Sequence, residues 1–244
     1  GGEGVDGAGV GVAGGAGLAA EECERGGRGV AGLHAEGSGA EGTLGDTGVR
    51  DTLPDGKGAY GMGVTVLNGA KLSAQGCVLE GNSSTGIVVE EPGTEVAMVN
   101  TTIWDTLPNG DGDAGYGVGV YGGAALSAER CGITGNKSVG ILAGSPGTVV
   151  TLRDSHITEM TPGLGEQSAT TIGVASQEGA SISASGLLVQ HNEGPGLYSY
   201  GEGSTLVCSD CTIIDNAFAG AVALDAAFLE IRSSTISRTS EGSD

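Results

Sequence analysis

At 244 residues with 50 glycines, the chain is either a low-complexity disordered polymer or a repetitive fold that sets glycine at fixed turns, and 38% hydrophobic content favours the fold. Aromatic residues make up only 3%, which excludes a core built on large rings and leaves one of stacked Val, Ile, Leu and Ala. Thirty acidic against ten basic residues give a net charge of -20, which argues against nucleic acid and anionic membrane as partners and for solubility or cation binding.

The opening "GGEGVDGAGVGV" shows neither an initiator Met nor a charged-then-apolar signal segment, and reads as an interior cut or a processed end. No run of about eighteen apolar residues follows, so membrane insertion is not expected. Farther along, "VRDTLPDGKGAYGMGV" (Val49 to Val64) returns as "IWDTLPNGDGDAGYGV" (Ile103 to Val118), 54 residues on. The stretch Gly69 to Val96 realigns on Gly123 to Val150 with the same shift of 54, and Gly179 to Leu206 follows after a further 56.

Within each unit the pattern repeats again, because Leu72, Ala74, Cys77 and Leu79 correspond to Val96, Met98, Thr101 and Ile103, 24 residues later. Coils therefore start at Leu18, Gly42, Leu72, Val96, Leu126, Val150, Ile182, Leu206 and Leu229, about nine in all, with alternate coils enlarged by a loop. Apolar or small residues recur at offsets 0, 2, 5 and 7, which reads as short strands with one inward face. Gly, Asn and Pro-Gly between them suit corners.

This pattern resembles the right-handed single-stranded parallel β-helix of the pectate-lyase-like superfamily, from about Gly9 to Ile236. The resemblance implies an all-β solenoid over the single domain 1–244 and implies no activity, because the fold hosts lyases, hydrolases, tailspikes and adhesins. The "DTLPDG" loop followed by "GxGV" is also similar to uncharacterised myxobacterial β-helix repeat proteins. The polygalacturonase-like paired Asp, "GHG" and "RxK" are missing from the sequence.

Stacked coils turn equivalent positions into ladders about 4.8 Å apart. Asn82, Asn136, Asn192 and Asn216 each lie ten residues after a coil start, where their amides are expected to cap a corner and bond neighbouring turns. Cys23, Cys77 and Cys131 share a position on alternate coils, beyond disulfide reach, and read as small buried hydrophobes. Cys208 and Cys211 either pack or bridge locally, with packing favoured. His34, His156 and His191 sit at unrelated offsets, so solvent exposure is the default for each.

Every long coil carries its extra residues at one corner: Thr52 to Met62, Thr106 to Tyr116 and Thr161 to Ile172. Long loops on a rigid scaffold are where binding concentrates. The second loop offers Asp105, Asn109, Asp111 and Asp113 as a partial calcium set, while the first has only Asp51 and Asp55 and the third has Glu159 beside it and Glu166 within it. The competing reading has Asp51 and Asp105 bonding their own turns. Trp104, Tyr60 and Tyr116 flank the loops as a possible ligand face for sugars or as loop supports, whereas Tyr121, Tyr198 and Tyr200 look too scattered for a platform.

The sequence shows no capping helix at either end, so continuation in a longer chain is expected, with end-to-end self-association as the alternative. The functional expectation is a non-catalytic extracellular or cell-surface β-helix with a structural, adhesive or carbohydrate-binding role and a polysaccharide or surface glycan as partner. The alternative is a polysaccharide lyase or glycoside hydrolase acting on the loop-lined face.

Overall fold

The computed structural model describes residues 8–28, 31–55, 57–163 and 171–239, and among them every regular element is a β-strand. No helix there is long and apolar enough to cross a membrane. The chain visits three faces in turn, as in the rung Met62–Leu67, Lys71–Gln75 and Val78–Glu80, and then repeats the circuit one level up in Thr85–Glu90, Glu95–Val99 and Thr102–Trp104. Among the described residues each face stacks nine parallel strands into a sheet, and the three sheets close around one apolar core. We call them the first, second and third sheets in the order the chain meets them.

Register follows the periodicity of the sequence. Leu18, Gly42, Leu72, Val96, Leu126, Val150, Ile182, Leu206 and Leu229 fall in one file across the second sheet. Lys71–Gln75 alternates exposed and buried residues, because one face of a half-buried strand turns to the core and the other to solvent. The core itself consists of aliphatic files such as Leu79, Ile103, Ile133, Ile157 and Val189.

Two corners recur with a fixed chemistry. Between the second and third sheets, one left-handed residue turns the chain, among them Asp46 (φ 44), Asn100 (φ 50) and Asp154 (φ 47), and the next side chain bonds back to the carbonyl two residues earlier. Thr47, Thr101 and Ser155 make that bond with hydroxyls at 2.9, 3.2 and 2.8 Å. Cys77 and Cys131 make it with thiols at 3.5 and 3.4 Å, so these cysteines are weak donors at a hydroxyl position as well as buried packing groups.

After the third sheet, a second left-handed residue precedes the inward Asn. Asn82 Oδ1 accepts from Thr52 N at 3.1 Å and its Nδ2 donates to Val49 O at 2.9 Å; Asn136 does the same for Thr106 N and Ile103 O at 2.9 and 3.5 Å. Asn192 serves Met160 N at 3.0 Å, and Asn216 serves Asn192. Glycines one residue into the first sheet lie beneath these amides: a Cβ on Gly117 would stand 2.6 Å from Gly140 O and 3.0 Å from Asn136 Nδ2.

Three expectations need correction. Cys23 is exposed rather than buried, unlike Cys77 and Cys131, which have rungs stacked on both sides. Cys208 and Cys211 are joined by a disulfide, since the left-handed Asp210 between them folds two inward positions of one rung to a Cα separation of 6.1 Å. His34 is buried rather than exposed, because it lies on the outer side of the first sheet, where its neighbour Thr65 is also covered, and its Nε2 lies 3.2 Å from Glu36 Oε2. His156 and His191 are exposed.

Candidate functional site

All the inserted loops leave the third sheet and enter the first. Asp51 (φ 50) and Asp105 (φ 53) occupy the left-handed corner position that Gly81, Gly135 and Asp215 fill on other rungs. The side chains that organise the loops stand four residues later. Asp55 Oδ1 accepts from Lys57 N and Ala59 N at 2.8 and 3.0 Å, and Asn109 Oδ1 accepts from Asp111 N and Asp113 N, both at 3.0 Å. Backbone bonds from Asp55 N to Ala59 O and from Asn109 N to Asp113 O, at 2.9 and 2.8 Å, close two matching loops.

The second loop rests directly on the first: Gly110 N donates to Gly58 O at 2.8 Å, and a Cβ on Gly110 would stand only 2.5 Å from Gly58 Cα. Of the calcium set, Asn109 directs its oxygen at loop amides, Asp105 lies 3.7 Å from Lys137 Nζ, and Asp111 and Asp113 stand on the same loop. Among the described residues no three His, Cys, Asp or Glu side chains converge in a group able to hold a metal ion. Glu159 is a left-handed corner residue, and Glu166 lies outside the described residues.

The three flanking rings separate. Trp104 projects from the third sheet in file with Glu80 and Thr134, and Tyr60 stands half exposed in the first loop. Tyr116 begins a strand of the first sheet, where it joins a cluster on that sheet's outer side. Val139, Leu142, Ile172 and Ala175 form the buried part of this cluster, and Tyr116, Tyr121 and Tyr198 pack against it. The loops enter the sheet along the Tyr116 edge and so border the cluster on one side.

Tyr121 lies along the sheet. A Cβ on Gly119 would meet its ring at 2.7 Å and one on Gly144 would meet it at 3.2 Å, so the bare backbone of two rungs forms the bed on which the ring rests. Tyr198 and Tyr200, two residues apart on one strand, place their ring centroids 6.2 Å apart with planes 12° from parallel. Burial, with Tyr116 and the carboxylates of Glu90 and Glu178 nearby, pushes the Tyr121 phenol well above its ordinary range. A hydrogen bond donated to Asp225 raises Tyr200 and so commits its proton to that carboxylate, while burial beside Asp113 raises Tyr116.

The tyrosines that looked scattered in sequence therefore belong to one surface. Counting from the glycine row makes them legible: Tyr121 and Tyr200 stand four residues after Gly117 and Gly196, and Gly119 and Tyr198 stand two after. The outer side of the first sheet thus presents rings on an apolar bed, with carboxylates at its edges.

A family model described as "Right handed beta helix region" matches residues 3–155 and 113–243, and the chain belongs to that family. The crystal structure of pectate lyase Pel9A shares the fold, with a TM-score of 0.56 at 12% identity over 86% of this chain. The chain spans 55% of the length of that lyase. No curated protein matches the sequence.

Proposed function

We propose that the chain is a non-catalytic carbohydrate-binding β-helix, acting outside the cell or at its surface, that holds a polysaccharide against the outer side of the first sheet. The observation that carries this reading is the tyrosine cluster. Tyr116, Tyr121 and Tyr198 on Leu142 and Ala175, with Tyr200 beside them, supply flat apolar area and hydroxyls, the pairing that sugar faces and sugar hydroxyls require. The rings sit on strands rather than on loops, so they are held in place before any ligand arrives. The Cys208–Cys211 bridge supports the extracellular placement, because disulfides persist in oxidising compartments.

The test is a glycan array probed with the purified chain, with and without calcium, in which both retained protein and released products are scored. Retention of polysaccharide that is lost in the Tyr198→Ala/Tyr200→Ala variant is the expected result. Release of shortened or unsaturated oligosaccharides would overturn the non-catalytic part and favour a lyase or hydrolase. Retention unaffected by the tyrosine variant would place binding elsewhere on the molecule.

A further inference from the structure

The file that contains Tyr121 runs through Gly144 and Gln177 to Tyr200, one residue per rung. The two rings are three rungs apart, about 14 Å along the helix axis. Between them the file drops to a glycine and a flexible amide, so the surface is a shallow saddle with an aromatic platform at each end. Tyr121 rests against the backbone of Gly119 and Gly144 and is partly exposed, and Tyr200 is 41% exposed.

The charges bordering this saddle are of one sign. Glu90 precedes Tyr121 in the file, Glu178 follows Gln177, and Asp225 bonds the Tyr200 hydroxyl. Carboxylates accept hydrogen bonds from sugar hydroxyls and repel uronate or sulfate groups, and the net charge of -20 adds to that repulsion.

We propose that the saddle takes a glycan chain free of acidic groups, laid parallel to the helix axis, with one sugar stacked on Tyr121 and another on Tyr200. This rests on the carbohydrate-binding reading and adds the ligand class, its direction and its minimum length. An extended pyranose chain advances by close to one rung per residue, so a tetrasaccharide is the shortest ligand that reaches both rings.

The experiment is calorimetric titration with three oligosaccharide series from two to six residues: uncharged gluco- and manno-oligosaccharides, chitosan oligomers and oligogalacturonates. Binding of an uncharged or amino-sugar series is expected to strengthen up to four residues and then level off. Tyr200→Ala should weaken a hexasaccharide about tenfold while leaving a disaccharide unaffected by comparison. Because Tyr121→Ala could disturb the sheet, Tyr121→Leu keeps the bed covered and should bring a similar loss. Glu90→Gln with Glu178→Gln should reduce discrimination against oligogalacturonate.

Preferred binding of oligogalacturonate, or affinity that saturates at two residues, would overturn this inference while leaving a tyrosine-dependent glycan face in place. Binding insensitive to both tyrosine variants, or no binding in any series, would overturn the carbohydrate-binding reading along with it.

Discussion

Single residues set both the strength of the corners and their sensitivity to pH. Asn136 satisfies the buried Thr106 N and Ile103 O, so Asn136→Ala leaves both groups without that partner; a loss of about 2–4 kcal/mol is expected, measured as the urea midpoint at constant slope. Gly117→Ala forces a Cβ against Gly140 O and Ile133 Cγ2, each 2.6 Å away, and should cost about 1–3 kcal/mol in the same assay. Tyr121 has its folded pKa raised by burial, so its contribution to stability is complete below the ordinary phenol range and is lost as pH rises above about 10. Thermal melts at pH 8 and pH 10.5 should show a larger drop for the native chain than for Tyr121→Phe. Burial raises the Cys77 and Cys131 thiols in both proteins, so the difference between the two isolates the phenol.

At the scale of elements, the loops act as a stack rather than as independent shelves. Gly110 touches Gly58 so closely that Gly110→Val must lift the second loop from the first. Faster amide exchange at residues 57–61 and 106–115, with unchanged exchange in the second-sheet strands, is the expected signature. Were exchange to rise throughout, the loops would be integral to the solenoid rather than additions to it. The Cys208–Cys211 bridge closes a loop with a sequence separation of only 3, so chain entropy assigns it a modest contribution of about 1–2 kcal/mol. Thiol labelling should distinguish three environments: Cys23 reacts at once because it is exposed, Cys77 and Cys131 react only on opening, and the bridged pair reacts after reduction.

For the whole molecule, a net charge of -20 in 244 residues makes self-repulsion a general destabilising term. Raising sodium chloride from 10 to 150 mM should therefore raise the melting temperature, and a flat or falling response would show that local ion pairs such as Arg50–Glu80 outweigh the overall field. The winding is legible in the chain itself: a period near 24, inward files of Val, Ile and Leu, and Asn in four of the corners specify rung, register and core, since each rung repeats the contacts of the one below. The chain also marks where the loops leave. Which rings pack on one cluster emerged on folding, because Tyr116 and Tyr121 lie three rungs from Tyr198 and Tyr200 and the shared offset of Tyr121 and Tyr200 from the glycine row carries no sign of the Leu142 and Ala175 bed between them. The tertiary structure likewise decided that Asp51 and Asp105 turn corners while Asp55 and Asn109 bind the loops, since composition alone does not distinguish an Asp that adopts left-handed φ from one whose oxygen accepts backbone amides.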